Sequence, residues 1–241
     1  MDNKFTLSVV FCTINETFSL IDSYKNISGH DCAYEYLFVV AKNASEDCLE
    51  VVKELCKNEK CRYIVQNDIG LGNAIRTAFS AVTGSHIIFW PADNDMDTAA
   101  FPKMVELSKN NPEKIVTVSR WLCKDGFKGY GKIRKLINFT SQKCFGLLFK
   151  SELTDFTNPT QIAPIEIYRS INWEGNGFDF IPEMIFKPLK LGHKFIEVPC
   201  KSIPRQDGKT NGSFFKFAKY YPVIFKIYKM AENDILIGEK R

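Results

Sequence analysis

Residues 62–97 read RYIVQNDIGLGNAIRTAFSAVTGSHIIFWPADNDMD, and their order decides the fold. Residues 62–65 are a short β-rich run, 67–72 hold two glycines, 74–82 have helical spacing, and 87–90 are a second apolar run. Strand, glycine turn, helix and strand in that order make a parallel crossover unit. The same alternation extends both ways. Upstream, 7–12 (LSVVFC) is a strand followed by a polar break at 13–16, 36–40 (YLFVV) is a buried strand, and 45–56 is a helix with Leu49, Val52 and Leu55 on one face. Downstream, 99–108 read as a helix and 115–118 as a fifth strand. The expectation is an α/β fold with a mostly parallel central sheet flanked by helices, with chemistry in the polar segments that follow each strand.

The second half is less regular. Residues 132–149 and 182–191 have helical spacing, Gly192 ends the second of these, and 194–198 form a strand before Pro199. With 241 residues, 45% of them hydrophobic, the chain can bury one sizeable core. A net charge of +4 gives no bulk attraction for nucleic acid, so none is expected as a partner. The eight cysteines are scattered and form no C-x-x-C pair. With an opening of Met-Asp-Asn-Lys and no apolar leader, reduced thiols in a cytoplasmic protein are expected. No run approaches the roughly 18 apolar residues of a membrane span.

The exit of the 87–90 strand carries Asp93, Asp95 and Asp97. Carboxylates at that end of an α/β sheet suit a hard divalent cation, Mg2+ or Mn2+, which prefers oxygen ligands and leaves positions open for substrate phosphates. The alternative is a solvated acidic loop in which Asp97 and Thr98 cap the next helix.

LSVVFCTINE at 7–16, NDIGLGNAIRTAFSAVTGSHIIFWPADND at 67–95 and EVP at 197–199, in this order, resemble family 2 glycosyltransferases of the GT-A fold. The branch most resembled is that of dolichyl-phosphate mannosyltransferases and bacterial polyprenyl-phosphate sugar transferases. The resemblance implies inverting transfer of a hexose from a GDP- or UDP-linked sugar with a divalent metal. It implies a GT-A domain over residues 1–212, with a nucleotide-sugar half at 6–118 and an acceptor half at 119–212, followed by an extension at 213–241. Thr13, Asn15, Glu16, Asn43, Asn67, Gly72, Arg76, Asp93 and Arg205 are then expected around the donor, with Asp93 and Asp95 on the metal. Two departures stand out. The first aspartate of the family's Asp-x-Asp is missing, because Pro91-Ala92-Asp93 stands there, and the acidic turn that contacts the nucleoside reads Ala41-Lys42-Asn43-Ala44-Ser45.

Arg120, Arg134 and Arg205 each occupy a position resembling a family arginine, and guanidinium forks bind phosphate oxygens bidentately. An acceptor phosphate is anionic at neutral pH and attacks without a base, so catalysis is positioning and charge stabilisation. A hydroxyl acceptor needs a base. Asp155, which resembles an acidic position in the family's acceptor region, is the first candidate, with Glu183 and Glu197 behind it, although Glu197 is better placed to tie down a loop. Thr160 and Gln161 are candidate sugar contacts. Three readings stay open: a polyprenyl phosphate acceptor, a saccharide hydroxyl in surface polysaccharide assembly, or a non-catalytic domain that binds nucleotide-sugar. In the tail, Lys216, Lys219, Lys226 and Lys229 fall within roughly a 140° helical arc among aromatic residues. This suggests a helix, kinked or restarted at Pro222, that either packs on the domain with its lysines in water or, as a polyprenyl acceptor would favour, holds the protein peripherally on the cytoplasmic membrane face.

Overall fold

The computed structural model describes residues 4–127, 131–203 and 220–238. Seven strands form one sheet: β1 (Leu7–Thr13), β2 (Glu35–Val40), β3 (Cys61–Val65), β4 (His86–Phe89), β5 (Ile115–Ser119), β6 (Gln161–Pro164) and β7 (Phe195–Pro199). Their spatial order is β3-β2-β1-β4-β6-β5-β7. β6 alone runs antiparallel, between β4 and β5. The helices are α1 (Phe18–Ser28), α2 (Glu46–Leu55), α3 (Leu71–Ala81), α4 (Ala100–Asn110), α5 (Lys132–Phe149), α6 (Ile165–Arg169), α7 (Phe180–Lys190), α8 (Tyr220–Lys229) and α9 (Glu232–Ile235).

Both faces of the sheet are covered, so β1 and β2 are apolar at successive positions rather than alternate ones. Val9, Phe11 and Phe38 turn to one face, against Leu20 and Ile27 of α1, Val52 of α2 and Phe101 and Met104 of α4. Val10, Leu37 and Val39 turn to the other, against Ile75, Ala78 and Phe79 of α3, Tyr168 of α6 and Phe180 and Met184 of α7. A third cluster joins Phe145, Phe156, Phe186, Ile224 and Ile227, so α8 packs onto α5 and α7.

Two prolines test the local rules. Pro188 lies inside α7 and cannot donate to the carbonyl of Met184, four residues back. Gln161 Nε2 donates to that oxygen instead, at 3.0 Å. Gln161 and Thr160 are both buried, and Thr160 Oγ1 lies 3.1 Å from Met96 Sδ. These two residues therefore serve the core, and their expected contact with sugar is corrected. Pro222 stands in the first described turn of α8, which runs through it to Lys229 without a break. Gly192 follows α7 with a left-handed φ of 82°, as the sequence suggests for a helix stop.

Candidate active site

Every strand but β6 ends on the same edge of the sheet, so the segments after β1, β2, β4 and β5 share that edge. After β1, the Glu16 carboxylate accepts from Thr13 Oγ1 at 2.9 Å and from the Ile14 and Asn15 amides at 2.8 and 3.1 Å. Burial pushes this carboxyl up, but the bonds from Ile14, Thr13 and Asn15 outweigh it and hold the group below its ordinary value. Glu16 thus organises its own loop and leaves Asn15 exposed. The turn after β2 is tied to this loop by Ala41 N to Thr13 O, 2.8 Å, and Ser45 N to Ile14 O, 3.0 Å. Thr13, Asn15, Glu16 and the exposed Asn43 are therefore brought to one corner.

Asn67, after β3, is exposed beside Gln66, which is buried and donates to Asp68 O at 2.6 Å. The glycine turn that follows is clasped by a loop from the second half. Gly72 N donates to Asn176 O at 3.0 Å, and a Cβ on Gly72 would collide with the Gly175 carbonyl. Gly70 needs its φ of 122° and meets the same loop. Arg76 donates to Gly175 O at 2.6 Å and to the side chains of Asn73 and Asn176. Gly72 and Arg76, expected beside a nucleotide, are thus engaged in holding two loops together. Glu183 completes this clasp, accepting from the Glu174 and Gly175 amides at 3.0 and 2.8 Å and pairing with the fully buried Lys187 at 2.9 Å. It is a structural anchor, and its candidacy as a base is corrected.

After β4 the chain passes Asp93, Asn94 and Asp95, all half-buried, with Asn94 left-handed at φ 51°. The segment after β7 pins this loop: Ile203 N donates to Asp95 O at 2.7 Å, Met96 bridges to Ser202, and Asp97 N donates to Lys201 O at 3.1 Å. Asp97 Oδ1 accepts from Ala99 N at 3.0 Å, so this carboxylate serves the entrance to α4. Among the described residues, no three His, Cys, Asp or Glu side chains are grouped as a metal cage. Two carboxylates from one turn still fit a magnesium-like ion, whose remaining ligands come from phosphate and water.

After β5, Arg120 is buried and paired with Asp155: Nε lies 2.7 Å from Oδ2 and Nη2 lies 2.8 Å from Oδ1. Thr157 N and Oγ1 also donate to Asp155 Oδ1, at 3.1 and 2.9 Å. Burial pushes the Asp155 carboxyl up, but the Arg120 charge and hydrogen bonds prevail and hold it below the usual carboxylate range. A depressed carboxylate bound on both oxygens is a poor proton acceptor. Glu197 accepts from the Thr154 and Asp155 amides at 2.9–3.0 Å and ties down that turn, as expected of it. Burial, with the Asp155 charge behind it, raises its carboxyl.

Arg134 is half-buried in the first turn of α5. Beside it in sequence, Lys135 sits over Phe127 and Trp121, at 5.7 and 5.8 Å, and Arg120 sits over Phe127 at 5.0 Å. Trp121 Nε1 bonds Asn138 Oδ1 of α5 at 3.1 Å, which fixes that helix beside the β5 exit. Arg205 lies outside the described residues, as do Lys216 and Lys219.

A mostly parallel sheet with an acidic turn at the β4 exit is the arrangement the motifs led us to expect; the reversed strand β6 is added by the structure. A family model described as Glycosyl transferase family 2 matches residues 8–169, from β1 to α6. The chain belongs to glycosyl transferase family 2. It is a glycosyltransferase with the α/β architecture of the GT-A fold. Solved structures agree on that fold. Glucosyl-3-phosphoglycerate synthase from Mycobacterium tuberculosis, in complex with Mn2+, UDP and phosphoglyceric acid, has a TM-score of 0.71. It is 13% identical, over 95% of this chain and 80% of that one. The complex with Mn2+, UDP-glucose and phosphoglyceric acid gives 0.70 at 14% identity, over 95% and 81%. That with Mg2+ and UDP gives 0.66 at 14%, over 93% and 78%.

Sequence reasoning missed the 172–176 clasp and the Trp121–Phe127–Lys135 cluster. The clasp leaves one signal, Glu183 and Lys187 at helical i, i+4 spacing in a helix that is otherwise apolar up to its terminal Lys190.

Proposed function

We propose that this glycosyltransferase moves a hexose from a nucleoside-diphosphate sugar to a polyprenyl phosphate. The observation that carries this reading is the commitment of every candidate base. Asp155 is locked on Arg120, Glu183 on Lys187 and Glu197 on the 154–155 turn. A saccharide hydroxyl needs a base at the reacting oxygen, whereas a phosphate arrives already ionised. The arginines at family-like positions and the colinear resemblance to polyprenyl-phosphate sugar transferases support the same acceptor. The Mycobacterium tuberculosis protein, similar in fold, was solved with a phosphate-bearing acid, which agrees with a phosphorylated acceptor in general.

In this reading Thr13, Asn15 and Asn43 meet the nucleoside, residues 6–118 hold the donor and 119–212 the acceptor. Asp93 and Asp95 would hold Mg2+ or Mn2+, which when bound neutralises charge on the leaving diphosphate. Asp155 positions Arg120 by holding one edge of its guanidinium bidentately, through Nε and Nη2. Arg120 and Arg134 face the acceptor phosphate, and Arg205 assists the donor diphosphate. The test is Arg134→Ala. A charge-assisted hydrogen bond contributes about 1.5–3 kcal/mol, so use of the lipid acceptor should fall roughly ten- to a hundredfold while donor binding stays near wild type. Full lipid-acceptor activity in this variant would sink the phosphate-acceptor reading.

A further inference from the structure

The helix α5 is built the wrong way round for a helix that only covers a core. Of its 18 residues, only Gln142 and Phe145 are buried. Ile133, Leu136, Ile137, Thr140, Cys144 and Leu147 are all exposed, and at about 100° per residue they fall within roughly a 100° arc on the opposite side of the helix. Leu147 is 84% exposed, Ile133 77%, Leu136 65% and Ile137 38%, so most of the apolar area of the first three faces solvent and Ile137 lies at the edge of the stripe. A contiguous apolar stripe of this kind on a soluble surface marks an interaction site.

The charges on α5 select the partner. Lys132, Arg134, Lys135 and Lys143 lie on this helix, Lys150 follows it, and it carries no carboxylate. Lys132 and Lys143 flank the apolar stripe on one side at helical spacing. An apolar stripe edged by lysines fits the headgroup and acyl boundary of an anionic bilayer, where the side chains enter the lipid and the ammonium groups meet phosphates. We propose that α5 docks this protein on an anionic membrane surface through Ile133, Leu136, Ile137 and Leu147.

This surface is distinct from the aromatic-basic tail that the sequence suggests for the same role. In α8, Ile224 and Ile227 are buried against the domain, and Lys226 is paired with Glu174 at 2.7 Å. That part of the tail packs onto the protein. The docking through α5 holds whatever acceptor the enzyme uses. Because Trp121 and Asn138 join α5 to the β5 exit, it would also bring the Arg120 side of the edge close to the lipid.

The test is co-flotation of the full chain with phosphatidylcholine vesicles, with and without phosphatidylglycerol. Wild type should float with the anionic vesicles, and raised salt should weaken this. Leu136→Ser combined with Leu147→Ser should lower the partition at least about tenfold, since each leucine loses its whole transfer into lipid. Both side chains are exposed, so the melting temperature should not change. A polarity-sensitive fluorophore on Cys144, the exposed one of the eight cysteines, should shift to the blue on anionic vesicles. Flotation that the double substitution leaves intact, or a Cys144 label that stays in water, would overturn the proposal. So would wild type that ignores the vesicles but forms a dimer that the double substitution dissolves, because the stripe would then serve a second copy of the chain.

Discussion

Replacing Asp155 by asparagine separates its two possible roles, because the side chain keeps its shape and loses its charge. In the structure this carboxylate is fully buried and holds Arg120 through Nε and Nη2 at 2.7 and 2.8 Å. Removing one partner of a buried ion pair costs about 3–5 kcal/mol, since the other charge stays desolvated. For a chain of this length each kcal/mol is worth about 2–4 °C, so Asp155→Asn should melt roughly 6–20 °C below wild type. Turnover should fall as well, because Arg120 loses its fixed orientation. The pH–rate profile should show no acidic limb from Asp155. Circular dichroism melts and kcat/KM with a lipid acceptor measure both. An Asn variant with the wild-type melting temperature and a loss of turnover on the order of 10²–10⁴, the range of a lost general base, would refute the reasoning.

Three further outcomes follow from the same geometry. Gly72→Ala should destabilise the fold by about 1–3 kcal/mol in urea titration, because its Cβ meets the Gly175 carbonyl and comes within 2.9 Å of Phe180. Asp95→Asn should weaken metal-dependent nucleotide binding measured by calorimetry, and Asp93→Asn should do so at least as strongly; an unchanged Asp95→Asn would leave Asp93 alone with phosphate and water. Asp155 and Glu16 have carboxyls held below their ordinary values, as does the buried Glu35 of β2, where burial is outweighed by bonds from Ser8, Thr83 and Arg62. Their stabilising contribution is therefore complete above the unfolded range near pH 4 and is lost as pH falls through the lower folded values. The urea midpoint should drop on acidification, and Glu35→Gln should make that drop shallower.

The parallel half of the sheet was legible because each strand is buried on both faces and its apolar run is continuous, as in β1, β2 and β4. The helix α1 was missed although Leu20, Tyr24 and Ile27 have helical spacing, because the polar break after β1 and the lack of a side-chain cap give no start signal. β6 is four residues long and ends in proline, so its length and composition resemble a loop. At the site, strand exits were readable because chain order alone places them on one edge. Which acidic residue lies opposite which basic one was not: Asp155 and Arg120 are 35 residues apart and meet only through the pairing of β5 and β6. The exposed face of α5 was hidden for a different reason. Apolar residues at helical spacing look alike whether they face a core or a membrane, and only the buried positions Gln142 and Phe145 show which way the helix is turned.

The acceptor is the central claim, and one competition experiment addresses it directly. The full chain is incubated with Mn2+ and a panel of labelled UDP- and GDP-sugars, with a polyprenyl phosphate and an oligosaccharide present together. The account predicts that the label moves into a product that extracts into organic solvent and is released by mild acid. Label found only in the water-soluble saccharide, with the polyprenyl phosphate untouched, would contradict it.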